Sequence, residues 1–415
     1  MTHTSKFSEI ERCRLSGNKD LQMVLDLGVQ ELTGVFPKTR NEPVTAGPLQ
    51  LVWCQQGNLL QLKQSYDLDE MYGDNYGYRS GLNASMVEHL NHKARELQRI
   101  RPLQAEDLIV DIGSNDATLL KSYEVAGVKR VGIDPTGQKF IRFYDSGIDL
   151  IPDFFSAGVF KQKYGERKAA LLTSIAMFYD LENPKAFVKD IFEILADDGI
   201  WHFEQSYMPS MLRTNAYDTI CHEHLEYYSL GVVKTLLESC DMKILDVQMN
   251  AVNGGSFAVT AAKKVSSHTT NQVVIDWMLQ QEERMGLNTI APYKSFANRI
   301  FEHRDNLTAL IRGLTASGKK VCGYGASTKG NVLLQFCKLR ENDIPCIAEV
   351  NEEKFGAFTP GTRIPIISEA EARTMEPDYF LVMPWHFKHG ILQKEREFLA
   401  RGGKFIFPLP EIEIV

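Results

Sequence analysis

Val110-Asp111-Ile112-Gly113-Ser114-Asn115-Asp116, followed downstream by Ile133-Asp134-Pro135, is the stretch whose reading decides the fold. An apolar run from Leu108 to Val110 ends in an acid and a glycine, and a second apolar run ends in another aspartate. A Rossmann-type sheet holds an adenosine in this way. The chain approaches closely at the glycine, and a carboxylate about 20 residues further on takes the ribose hydroxyls. A dinucleotide site needs Gly-x-Gly-x-x-Gly, so that backbone and helix N-terminus can reach a pyrophosphate. Only Gly113 is present, and Asn115 and Asp116 stand where the next small residues belong. An acidic loop repels a pyrophosphate but attracts a sulfonium and its amino group. The stretch therefore predicts a site for S-adenosylmethionine rather than for NAD.

Outward from this stretch, the chain separates into three regions. At 415 residues it is too long for one ordinary core. Residues 1–80 mix short apolar runs (Met23 to Leu27, Leu49 to Trp53, Leu59 to Leu62) with turn residues, which predicts a small, irregular β-rich module. Residues 81–270 alternate helix-like and strand-like segments. Ser85 to Leu97 reads as a helix, and strands are expected near 108–112, 130–134, 149–152, 170–175 and 199–204. That alternation predicts an α/β fold with a mostly parallel, doubly wound sheet. Residues 271–415 begin with a charged helical stretch to Ser317 and continue with strands expected near 320–323, 345–349, 378–383 and 403–407. They predict a second, smaller Rossmann-like α/β domain.

Composition narrows the function classes. With 44% hydrophobic and 24% charged residues, the chain reads as a soluble globular protein. A net charge of −7 without any Lys/Arg block argues against a nucleic-acid partner. The polar N-terminus lacks an apolar signal region, and no apolar run reaches the roughly 18 residues of a membrane span, so a cytoplasmic protein with no membrane partner is expected. The seven cysteines follow no framework spacing, which suits reduced thiols. A monomer or small homo-oligomer is expected.

Further motifs carry chemistry. Asp153-Phe154-Phe155 follows the third strand of the middle region, where an acid can accept from an adenine amino group and an aromatic ring can cover the base; a helix cap with two core phenylalanines is the plainer reading. Ser174 closes the fourth strand, at the carboxyl edge where such sheets place ligands. Cys221-His222-Glu223-His224 is the densest reactive cluster and admits several readings: a metal site, a Cys–His pair, a general base, or a polar turn before Tyr227-Tyr228. Asn253-Gly254-Gly255-Ser256 suggests a tight turn beside a ligand, or a hairpin. Cys322 to Asn331 follows a strand and opens a helix. It lacks the Gly-Lys-Ser/Thr ending of a Walker A loop, but Gly325, Ala326, Ser327 and Lys329 still suit a diphosphate. Glu349 and Asn351, at the end of the next strand, are placed to hold a ribose. Tyr72, Tyr76 and Tyr78 with Arg79 form an aromatic run before the middle domain.

Taken in order, these parts resemble the nucleotide-sugar C-methyltransferases, three-domain S-adenosylmethionine enzymes that methylate C3 of 4-keto-6-deoxy sugars. The likeness runs nearly end to end. It rests on Cys13, Leu25-Asp26-Leu27-Gly28, Tyr76 to Gly81, Asp111 to Asp116, His222-Glu223-His224, Gly254-Gly255, Gly323 to Lys329, Thr359-Pro360-Gly361, Ile364-Pro365 and Pro408-Leu409-Pro410-Glu411. The resemblance implies that Glu223 and His224 lie at the sugar, with the histidine as the favoured base for the C3 proton. It implies that Tyr76 and Tyr78 border the same cleft, and that the C-terminal domain holds the nucleotide diphosphate. His222, Asn253 and Gly255 are further substrate-binding candidates.

Two departures stand out. The family's N-terminal module usually carries zinc on two Cys-x-x-Cys pairs, but here Ser16 follows Cys13 and Gly57 follows Cys54. Two thiolates are too few for zinc, so no zinc is expected. The family also often has tyrosine at Cys221 and histidine at or near Phe178, which throws more of the chemistry onto Glu223 and His224. Ala117 replaces a usual glycine, a difference of one methyl that the loop is expected to tolerate. Rival readings are methyl transfer to oxygen or nitrogen of another small molecule, an NAD-dependent sugar-nucleotide oxidoreductase, and a binding scaffold with a degenerate site.

Overall fold

The computed structural model of the protein describes residues 6–67, 70, 71 and 79–415. Its centre is a seven-stranded sheet in the order Met242–Asn250, Ser256–Lys263, Leu195–Ser206, Ala169–Ile175, Leu108–Ile112, Lys129–Ile133, Ile148–Ile151. The last five strands are mutually parallel. Leu108–Ile112 is buried along its whole length, as a strand covered on both faces by helices must be. Its neighbours are the next strand in sequence on one side and a later one on the other. The connections therefore part at its carboxyl end, and a crevice opens there. The sequence offered a hairpin at Asn253 to Ser256 as one reading but gave no bounds for the two antiparallel strands that complete this sheet. They form a hairpin whose turn, Val252–Gly254, runs into Gly254 and Gly255 at φ +90° and +124°, values that glycine adopts readily.

Side-chain caps set several helix starts. Asn83 accepts from Ser85 N–H ahead of Ala84–Ile100, which turns Leu90, Ala94 and Leu97 onto the sheet. Ser156 caps Ala157–Tyr164, and Asn183 caps Pro184–Ile194.

The N-terminal region is more regular than its mixed sequence suggests. Gln22–Glu31, Ala46–Cys54 and Leu59–Leu62 form an antiparallel sheet, with bulges along the first pairing that blur the two-residue alternation. The fourth strand of that sheet is Glu226–Tyr227, from the middle region. The C-terminal region has a six-stranded sheet in the order Ile366–Ser368, Ile347–Glu349, Val321–Tyr324, Tyr379–Val382, Lys404–Phe407, Glu413–Ile414, parallel except for the final strand. One hydrophobic core joins all three regions, running from Leu25 and Trp53 through Tyr217 and Cys221 to Val321 and Phe405.

The helices Gln272–Arg284 and Ala291–Ala316 lead into the C-terminal sheet. The first is pinned to the middle region by Glu282, which is 6% exposed. Its carboxylate accepts from Leu230 N–H at 2.6 Å, Gly231 N–H at 2.9 Å and Tyr207 O–H at 2.6 Å. It thus serves as a remote cap for the helix Leu230–Glu238. Removing it strands three donors away from water, so Glu282→Ala is expected to lower stability by about 2–4 kcal/mol in urea unfolding. A loss below about 1 kcal/mol would contradict this role.

Candidate active site

The crevice at the carboxyl edge of the seven-stranded sheet is a cavity of about 460 Å³. One end is built by the stretch that opened the sequence. Gly113, at φ +74°, turns the chain while its N–H donates to Ile133 O at 2.9 Å. Asp134 accepts from Asn115 N–H on one oxygen and from Thr136 N–H and O–H on the other, each at 2.7 Å. These donors fill three of the roughly four acceptor directions of a carboxylate and leave capacity for a ribose hydroxyl. Asp111 accepts from Thr173 O–H at 2.6 Å. Burial, with the Asp134 charge nearby, pushes its carboxyl up to about 7. Glu204, at the end of its strand, takes His89 Nε2 at 2.8 and 3.0 Å on its two oxygens. A cation entering here would meet carboxylates on several sides, which fits a sulfonium donor.

The other end is built by the Cys221–His224 segment, which main-chain bonds hold on both sides. Tyr179 O accepts from Leu225 N–H at 2.8 Å and Glu226 N–H at 3.0 Å, while Leu62 N–H donates to Leu225 O at 2.8 Å. His224 Nδ1–H donates to Thr219 O at 2.8 Å, so Nε2 carries the free lone pair. Its ring lies 4.2 Å from that of Tyr179. Burial and the Lys329 charge push the imidazole down to about 4. Burial instead raises the Glu223 carboxyl, toward which the Cys221 thiol donates. Cys221 thus positions a carboxyl, although it cannot reproduce a tyrosine.

The candidate residues divide by placement. Asp111, Gly113, Ser114, Asn115, Asp134, Pro135, Phe154 and Phe155 line the cavity together with Glu223, His224 and Lys329. Others are placed differently from the sequence reading. Ser174, assigned to the cofactor, is wholly buried in the sheet and accepts from Trp201 Nε1–H at 3.0 Å, because the strand alternation turns it inward. Asp116 works behind the loop, accepting from Thr118 O–H and Gly81 N–H. Asp153 is exposed and closes on Phe154 N–H at 2.7 Å. His222, assigned to the substrate, points away from His224. It meets Gln30 O at 3.3 Å and the edge of Tyr66, because Cys221 to His224 form a turn, closed by His224 N–H donating to Cys221 O at 3.2 Å, so the two imidazoles do not share a face as they would in a strand.

Gly255, Gly325, Ala326, Ser327, Glu349 and Asn351 lie outside the cavity lining. Ser327 caps the helix Thr328–Phe336, and Glu349 takes Ala326 N–H at 2.7 Å. Asn351 caps a short turn. Tyr72, Tyr76 and Tyr78 lie outside the described residues, as does the side chain of Asn253. Ala117 sits at φ +61°, a left-handed conformation in which a glycine would carry less strain.

Several lining residues were missed in the sequence. Glu204 was findable, since it ends an expected strand at the edge where ligands bind. Gly34, which borders Glu223 without lining the cavity, had no local signal. It comes from the N-terminal region and faces Glu223 so closely that a Cβ there would lie 2.7 Å from Oε1.

Comparisons with known proteins bear on the family of the chain. A family model described as "Methyltransferase domain" matches residues 86–247, and one described as "C-methyltransferase C-terminal domain" matches 251–410. The C-methyltransferase NovU of Streptomyces niveus is 33% identical over 411 residues, covering 98% of this chain and 97% of NovU. The chain belongs to this C-methyltransferase family. It is an S-adenosylmethionine-dependent enzyme that forms a carbon–carbon bond. Among solved structures, the plantazolicin methyltransferase BpumL in complex with SAH is similar at 12% identity and TM-score 0.33, over 43% of this chain and 83% of that one. The mitomycin 7-O-methyltransferase MmcR is similar at 12% identity and TM-score 0.35, over 44% and 55%. Likeness of this degree bears on no catalytic residue.

A third family model, described as "Putative zinc binding domain", matches residues 13–72. The residues present do not fit a zinc ion. Cys13 and Cys54 are both buried, and Ser16 Oγ lies 3.5 Å from Cys54 Sγ. Gly57 offers no side chain, and a Cβ on it would lie 2.9 Å from Cys13 Sγ. Two thiols and a hydroxyl fall short of the four-ligand shell that structural zinc takes. Among the described residues no group of three or more His, Cys, Asp or Glu is placed to hold a metal.

Two expectations follow from this geometry. A cationic ligand favours ionised Asp111, whose bound proton must leave below about pH 7. Calorimetry of S-adenosylmethionine binding should therefore show affinity rising roughly 10-fold from pH 6 to pH 8, with proton release at the acid end. Asp111→Asn should bind more weakly and lose the slope, and a flat wild-type profile would contradict the assignment. Gly34→Ala should displace the flexible end of Glu223 without unfolding the protein. Turnover should fall at least about 10-fold while stability changes by less than about 1 kcal/mol. Unchanged turnover would remove Glu223 from the chemistry.

Proposed function

We propose that this C-methyltransferase methylates C3 of a nucleoside-diphosphate-linked 4-keto-6-deoxyhexose, in the assembly of a branched deoxysugar. The observation that carries the reading is a single cavity with carboxylates at one end and the pair Glu223 and His224 at the other. Bound S-adenosylmethionine supplies an electrophilic methyl group at the acidic end. Asp134 would take the ribose, Phe154 and Phe155 would border the adenine, and Asp111 and Glu204 would face the positive charge. Lining residues from the 86–247 and 251–410 family matches meet in this cavity, and Gly34, from the 13–72 match, abuts Glu223; three domains of about 1–80, 81–270 and 271–415 are part of the proposal.

His224 suits the base. It is neutral at pH 7, its tautomer is fixed by Thr219, and Nε2 is the acceptor. Glu223, raised by burial, is the second group able to hold the proton. A ketone at C4 acidifies the C3 proton, and its removal leaves a carbanion equivalent aimed along the cavity toward the methyl group. The residues' work is then to hold two substrates in line and keep water out. The nucleotide is proposed to lie against the carboxyl edge of the C-terminal sheet. Among the described residues, no helix is long and apolar enough to cross a membrane.

The test uses a 4-keto-6-deoxyhexose nucleotide in deuterated water, with S-adenosylhomocysteine bound so that no methyl can be transferred. Wild-type protein should exchange deuterium into C3, and His224→Ala should lower both exchange and methylation by about 10²–10⁴ while retaining S-adenosylhomocysteine binding. Methylation of oxygen without C3 exchange would overturn the reading.

A further inference from the structure

We propose that Lys329 is a catalytic residue of the methyl transfer, donating to the C4 oxygen as negative charge gathers there, rather than a ligand of the diphosphate. The inference rests on the C3-methylation reading above. It starts from the charge layout of the cavity. Six lining residues are acidic (Asp111, Asp134, Asp180, Glu182, Glu204 and Glu223), and among the described lining residues Lys329 is the one lysine or arginine. A cavity so acidic holds a cationic donor well but leaves a developing oxyanion unsupported. The one basic side chain lies where His224 and Glu223 do, with Thr328 beside it.

The local structure favours this role over the one its sequence suggested. The turn before Lys329 has little left to offer a diphosphate. Gly325 N–H donates to Ala348 O at 2.8 Å, Ala326 N–H to Glu349 at 2.7 Å, and Gly330 N–H to Ser327 Oγ at 3.0 Å. Glu349, at the end of the neighbouring strand, also keeps a carboxylate beside this turn. Lys329 itself turns inward; burial lowers its ammonium from the ordinary lysine range, the charges of Asp218 and Cys221 oppose that, and its own charge reaches His224 and His386. Asp218 is 1% exposed and is fixed by Trp385 Nε1–H at 2.7 Å, so the ammonium lies in the field of a buried counter-ion that is itself held in place. A preorganised cation out of bulk water stabilises a forming oxyanion far more than solvent does.

The step balances. The base takes the C3 proton, the C–H electron pair becomes the C3–C4 π bond, and the carbonyl π pair moves onto O4, which receives a hydrogen bond from the Lys329 ammonium. As C3 attacks the methyl carbon, the carbonyl re-forms and the S–CH3 pair stays with sulfur. Lys329 gives up no proton over the cycle.

The experiment is the C3 exchange assay with S-adenosylhomocysteine bound, together with steady-state methylation. Lys329→Met should lower exchange and kcat by about 10²–10³, with KM for the sugar nucleotide within about 3-fold and S-adenosylhomocysteine affinity unchanged. Lys329→Arg should restore part of the rate. Because methionine leaves Asp218 without its partner, the double variant Asp218→Asn/Lys329→Met provides a folded protein if the single one unfolds, and it should show the same loss. A variant that keeps kcat and exchange but raises KM would overturn the proposal in favour of a diphosphate ligand. If wild-type protein itself shows no C3 exchange, the substrate reading fails, and this role fails with it.

Discussion

The carbonyl of Tyr179 accepts two consecutive main-chain donors, Leu225 N–H and Glu226 N–H, and the rest of the site depends on this junction. It fixes the segment after His224 against the parallel sheet. On the other side, Glu226–Tyr227 joins the N-terminal sheet as its fourth strand. A segment bonded on both sides cannot drift, so Glu223 and His224 inherit the rigidity of two sheets. The C-terminal region closes the same place. Asn331 donates to Thr33 O at 2.8 Å, and Arg363 pairs with Glu31 through two nitrogens, bringing the Thr328–Phe336 helix and Lys329 to the cavity wall. The three regions share one continuous core, so the site is a property of their packing together.

The cavity is electrically divided. Carboxylates dominate the end made by the parallel sheet, and the basic side chain comes from the C-terminal region. Burial then acts on each group according to its charge: it raises Asp111 and Glu223 and lowers His224. A chain with a net charge of −7 spends several carboxylates in one crevice, which only a positively charged visitor makes favourable. On the proposed reading, this asymmetry sets the methyl donor at the acidic end and the sugar at the other.

The N-terminal region has a different part. Its Cys13–Ser16 and Cys54–Gly57 turns pack against each other without a metal shell, within the core that also holds Leu59, Phe178 and Tyr228. Its contribution to the site is steric and main-chain: Gly34 bounds Glu223, and Gln30 O turns His222 away from the cavity.

The sequence alone determined the alternation of strands and helices, the glycine turn and the two acids of the methyl-donor end. Each is local: a strand must be apolar where helices cover both faces, and a carboxylate must follow the strand whose edge meets the ribose. It also marked Cys221 to His224 as chemically dense. It could not say which of those side chains face the cavity, because the segment folds as a turn whose placement is set by the pairing of Glu226–Tyr227 with Leu59–Leu62 and by Tyr179, both distant in the chain. Nor could it tell that Ser174 lies under Trp201, that Gly34 abuts Glu223, or that Lys329 points inward. Contacts between residues far apart in the chain leave no periodicity to read, so only the tertiary structure decided them.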